Sequence, residues 1–200
     1  MIALSAILFT ACNNNGGKKE QEGQNMSKDT IRSVNMIDDK DIKAVAVTFA
    51  SMDTKATASV KKIVEQYLHI KNALANDNGS EAASGAKAMS EILSETDKSF
   101  FTSEQKKVYG EIEEDLKEHA EHIGKNGDNI KHQREHFSMM SEDIYDLVKA
   151  FGAGQPIYHY HCPMYNENKG AMWLSEMKEV RNPYFGAEML HCGSVEEVIK

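Results

Sequence analysis

Four stretches of this chain repeat apolar residues at three- and four-residue intervals, and each is bounded by residues that start or stop a helix. Most of the sequence is thereby committed to amphipathic helices that must share one core. From Ser59 to Ala75, Val60, Ile63, Val64, Tyr67, Leu68 and Leu74 form one stripe, ended by Asn76-Asp77-Asn78-Gly79. Ser80 is read as the cap of a second helix reaching about Ser94, with Ala82, Ala86, Met89 and Leu93 inward and small enough for close helix approach. Thr102 and Gln105 have capping-box spacing and open a third helix with Val108, Tyr109, Ile112, Leu116, His119 and Ile123 inside, stopped at Gly124. Asp128 is read as the cap of the fourth, whose Ile130, Phe137, Met140, Ile144, Leu147, Val148 and Phe151 keep helical period up to Gly152 and Gly154. Short connections favour up-down neighbours, so the expected fold is all-α: an antiparallel bundle of about four helices, with an irregular Cys/Met/His-rich tail packed on it.

The other segments divide the chain further. Residues 1–12 form an apolar run, too short to span a bilayer, that ends on small residues before Cys12. It reads as a lipoprotein signal, although it lacks a positive n-region, with Cys12 carrying the lipid. Residues 13–30 read as a flexible polar tether. Residues 31–58 stay unassigned, Ala44-Val45-Ala46-Val47 fitting either a strand or an extra helix, and residues 59–200 form the body. The expected location is periplasm-facing, held to a bacterial membrane by the lipid. A net charge of −8 with no long Lys/Arg run argues against nucleic acid as a partner.

The chemistry lies late in the sequence. Seven of the eight histidines and six of the eleven methionines fall at or after His119, with Cys162 and Cys192. Two tail clusters, Tyr158-His159-Tyr160-His161-Cys162-Pro163-Met164 and Met189-Leu190-His191-Cys192-Gly193, each set a thiol beside an imidazole and near a thioether. Soft sulfur with imidazole selects copper, silver or zinc over magnesium or calcium, and thioethers favour monovalent copper. On an extended strand Cys162 and Met164 would point the same way. His119 and His122 share one helix face, and His132, His136 and Met139 share another. The expected ligands are Cys162, Met164, Met189, Cys192, His119, His132, His136, Met139, His161 and His191. Against this stands a disulfide between Cys162 and Cys192, the default for two thiols in an oxidising compartment, which would consume the same sulfurs. No Ser/His/Asp order, Walker motif or His-Glu-x-x-His motif occurs, so no enzyme is expected.

The motifs Tyr160-His161-Cys162-Pro163-Met164, Lys169-Gly170-Ala171-x-Trp173-Leu174-Ser175, Asn182-Pro183-Tyr184-Phe185-Gly186 and Met189-Leu190-x-Cys192-Gly193 occur in that order, preceded by Gln133-Arg134-Glu135-x-Phe137. In these the chain, from about Val60 to Ile199, resembles the domain of unknown function 3347 family, found in periplasmic lipoproteins and fused to the adaptor subunits of heavy-metal efflux pumps. The resemblance implies a helical bundle with a motif-rich tail and a role in handling copper or a related metal. It also implies a heavy-metal efflux adaptor as partner. Cys162, Met164, Met189 and Cys192 match the family's sulfur positions, while Trp173, Asn182, Pro183 and Gly186 read as architectural.

Overall fold

The structure, a computed structural model, describes residues 42–200. The lipidation site Cys12 and the tether of residues 13–30 lie outside the described residues. The four helices are α1 (Thr54–Ala75), α2 (Gly79–Glu95), α3 (Ser103–Lys125) and α4 (Ile130–Phe151). They bury the expected stripes: Tyr67, Leu74, Met89, Leu116, Phe137, Ile144 and Leu147 are all fully enclosed. The capping box at Thr102 and Gln105 is present, while the other starts are displaced. Asp53, Asn78 and Asn129 cap α1, α2 and α4 by accepting from the backbone N–H groups of Lys55, Glu81 and His132.

The all-α expectation is overturned beyond α4. The tail forms β2 (Ile157–Cys162), β3 (Ala171–Ser175) and β4 (Ser194–Ile199), and a short strand from the unassigned leader, β1 (Lys43–Val45), completes a four-stranded mixed sheet. The order is β1-β4-β2-β3, with β1 parallel to β4 and β2 antiparallel to both its neighbours. Aromatic and β-branched residues such as Ile157, Tyr158, Tyr160, Trp173, Val195, Val198 and Ile199 fit a pleated, half-buried surface. No strand exceeds six residues, and turns interrupt the alternation, which is why it shows no clean period.

One face of the sheet joins the helical core through Ile157, Tyr160, Trp173 and Leu174, with the Trp173 indole stacked on Tyr160 at 5.1 Å. Polar ties fix the two layers in register. The buried Tyr67 hydroxyl accepts from the Leu174 backbone N–H (2.9 Å) and pairs with Ser141 Oγ (2.8 Å), joining α1, α4 and β3. Lys71, fully buried on α1, donates to Ser175 Oγ (3.1 Å) and Glu176 (2.8 Å) just beyond β3. Arg134 on α4 donates to Pro183 O, Leu74 O and Asp77. Asp77 in turn accepts from Ala187 N (2.9 Å), so one guanidinium and one carboxylate pin the loop after β3 to the α1–α2 corner.

Candidate metal centre

The spacing of three and four residues that put histidines on the faces of α3 and α4 brings four imidazoles together where these helices pack. His122 and His136 stack with ring centres 4.0 Å apart, His132 meets His136 edge-on at 4.6 Å, and His119 Nδ1 lies 3.2 Å from His136 Nδ1. Ligand nitrogens of His122, His132 and His136 lie within 4.8 Å of one another, each half-buried. Two nitrogens bound to one ion at about 2.0–2.1 Å sit at most roughly 4.2 Å apart, so small rotations of these side chains close the site.

The surroundings favour the neutral, ligating form of the rings. Burial, reinforced by His122, His132 and His119, pushes His136 down to about 4, and burial also lowers His119. His119 Nε2 faces Asp143 Oδ2 at 3.7 Å, a buried oxygen with no hydrogen-bond partner. Burial, followed by the charges of Asp115, Glu142 and Asp146, pushes that carboxyl up to about 7. The line Asp143, His119, His136 has the form of an outer-shell chain, in which a carboxylate orients one imidazole and that imidazole orients another. A proton on His136 Nδ1, donated to His119 Nδ1, leaves His136 Nε2 free to bind an ion.

The other expected ligands distribute differently. Met139, 42% exposed, lies one turn beyond His136. Cys162 and Cys192 come together, Sγ to Sγ 3.3 Å, as free thiols, the first buried and the second half-buried. Burial and the adjacent thiol push Cys192 up to about 11. Among the described residues no His, Asp or Glu completes a three-ligand group with this pair, nor does a cysteine join the imidazoles, so sulfur and imidazole occupy separate places. Cys162 ends β2 and Met164 takes a helical conformation beyond it, with an exposed side chain, so the alternation expected to align the two does not reach Met164. His161 precedes Cys162 on β2 and therefore points to the opposite face of the sheet. Met189 is half-buried after a single 3₁₀ turn at Gly186–Glu188, and His191, exposed, pairs with Val180 O at 3.1 Å.

The Asn-Pro-Tyr-Phe-Gly segment builds the cysteine site. Asn182 donates to Cys192 O (2.7 Å) and accepts from Tyr184 N (2.8 Å), while its own N–H donates to Leu190 O (2.8 Å), so one side chain and its backbone hold the Cys192 loop closed. Tyr184 stacks on Tyr165 at 4.3 Å and meets Trp173 edge-on. Gly193, at φ 142°, lets the backbone pass where a Cβ would lie 2.5 Å from the Trp173 ring. His122, which spacing alone pairs with His119, proves central to the imidazole group, and Asp143 was not signalled by any motif.

Fold and site together define a helical bundle capped by a small mixed sheet, with an imidazole cluster on one helix pair and a thiol pair at the sheet. A family model described as "Protein of unknown function (DUF3347)" matches residues 63–156. The chain carries this family's domain, as the resemblance implied, over the segment from α1 to the start of the tail. The tail motifs lie beyond the matched residues. No curated protein and no solved structure is significantly similar to the chain. No helix among the described residues is long and apolar enough to cross a membrane.

Proposed function

We propose that this protein is a metal-binding protein, not an enzyme, that holds copper on the imidazole face of α3 and α4, with silver or zinc as lesser alternatives. The observation that carries the reading is the convergence of His122, His132 and His136, backed by the oriented pair Asp143–His119. Imidazole suits copper and zinc, and the exposed Met139 thioether one turn away adds a soft, exchangeable ligand for the monovalent ion. Half-buried ligands allow an ion to be passed on, which fits buffering or delivery to a heavy-metal efflux adaptor. In this reading Cys12 carries a lipid anchor and the body faces the periplasm. The test is titration of the purified, thiol-blocked protein with monovalent copper under a competing chelator. Wild type takes up one ion, and the H122A/H136A double variant loses at least tenfold in affinity. Equal uptake by both would overturn the assignment.

A second reading rests on the thiol pair. A 3.3 Å Sγ separation places Cys162 and Cys192 for a disulfide that staples β2 to the loop before β4, in a structural module of the envelope with no metal role. Thiol titration of protein purified without reductant separates the two. Two reactive thiols that copper protects make the sulfurs ligands, and none until reduction makes them a staple.

A further inference from the structure

A different part of the sheet carries a constellation that neither reading uses. His159 and His161 stand two apart on β2, so their imidazoles share one face. Opposite them β4 contains a β-bulge: His159 pairs with Glu197 but Tyr160 pairs with Val195, so one step on β2 is matched by two on β4 and Glu196 is the extra residue. A bulge of this kind re-aims side chains, here turning both Glu196 and Glu197 toward the His159 face.

The distances are those of ligands around an ion rather than of hydrogen bonds. His159 Nδ1 lies 3.7 Å from Glu196 Oε2 and 3.8 Å from Glu197 Oε1, and His161 Nδ1 lies 3.8 Å from Glu196 Oε1. Two nitrogen or oxygen ligands held at about 2.1 Å by one ion with tetrahedral or slightly wider angles sit roughly 3.4–3.8 Å apart. Both ring nitrogens of His159 are buried with no hydrogen-bond partner, an arrangement a folded protein avoids unless something else satisfies them. The neighbours are fixed. Tyr145 packs its ring on His159 at 4.8 Å and donates to Glu197 Oε1, and Lys43 from β1 donates to Glu197 Oε2 at 3.4 Å. Gly170, at φ 85°, supplies the room for the His161 ring, since a Cβ there would overlap it. Glu196 now holds one imidazole with each oxygen, so a turn of the half-exposed His161 brings the set onto one centre.

We infer that His159, His161 and Glu196, with Glu197 as fourth ligand, form a cation site for a divalent ion of the zinc class, with Tyr145 and Lys43 as its outer shell. Nitrogen and carboxylate donors without sulfur suit zinc-class ions and disfavour monovalent copper, so this site differs in selectivity from the imidazole face. It does not depend on the copper reading. The test uses the full chain with its thiols blocked, titrated with zinc chloride and followed by two-bond proton–nitrogen spectra of the imidazoles. The expected result is that zinc moves the His159 and His161 Nδ1 signals, that H122A/H136A leaves this response intact, and that E196Q weakens it at least tenfold. Glu196 is about half exposed, so E196Q keeps the fold even where H159A does not. Unmoved His159 signals at saturating zinc, or E196Q binding as tightly as wild type, would overturn the assignment.

Discussion

The pair Lys71–Glu176 offers a test of how the sheet is fastened to the bundle, because its two members differ so much in exposure. The Lys71 side chain has no solvent access, whereas 27% of Glu176 is exposed. Burial holds the Lys71 ammonium below its ordinary range, opposed by Glu176, and for Glu176 the Lys71 hydrogen bond and charge outweigh burial and leave its carboxyl low. Removing one member of a buried pair typically costs about 3–5 kcal/mol because the other charge is stranded. Glu176 reaches water, which screens part of that, so E176Q should cost about 2–3 kcal/mol. In K71M a methionine fills the ammonium's space and the freed carboxylate turns to solvent and Asn72, so the cost should stay below about 1 kcal/mol. For a domain of this size, E176Q then lowers Tm by roughly 4–12 °C. In E176Q the buried lysine has a folded pKa below its unfolded one, so the folded state binds fewer protons and stability rises with pH across that interval. Urea unfolding of wild type, K71M, E176Q and the double variant between about pH 7 and 10 reads all of this. If K71M proved as destabilising as E176Q, or E176Q recovered nothing at high pH, the desolvation argument would be wrong.

The remaining predictions concern the helix face and two glycines. His136 titrates near 4 in the folded chain against 6.5 unfolded, so the unfolded state takes up a proton that the folded state refuses, and stability falls as pH drops from about 6.5 to 4. H136Q should flatten that acid limb in urea midpoints, and an unchanged slope would count against the buried neutral imidazole. Gly110 sits in the middle of α3 with nothing within 4 Å of an added Cβ, so G110A should stabilise by about 0.5–1 kcal/mol. Gly186 has φ 55° and its missing Cβ is occupied by the Asp77 carboxylate, so G186A should destabilise by about 2 kcal/mol or more. Thermal melts that ranked the two glycine variants the other way would refute both arguments.

The bundle was readable because each helix buries a stripe whose period survives in the sequence, and because Thr102 and Gln105 mark a start unambiguously. Lys71 was hidden, since a charged residue on the buried side of α1 reads as surface until its partner Glu176 is known. The sheet was hidden for a related reason. Its strands are short, β1 and β4 pair across most of the chain, and the bulge at Glu196 is defined only by a partner strand. Helical spacing correctly grouped His132 with His136 and His119 with His122, but it could not say that the two groups meet. Adjacency misled in the tail, where His161 and Cys162 are neighbours in sequence and back to back in the sheet.

The parallel pairing of Lys43–Val45 with Glu197–Ile199 also sets an order of assembly. Helices joined by short turns make their contacts as they emerge during synthesis, whereas a sheet closed by its last strand must wait. The imidazole face needs only α3 and α4, so it exists as soon as α4 has formed. The thiol pair and the His159 constellation draw on residues 192–197 and stay incomplete until β4 slots between β1 and β2. A nascent chain therefore meets metal first through its helices. Any ion captured there is already seated before the sulfurs are positioned to compete for it.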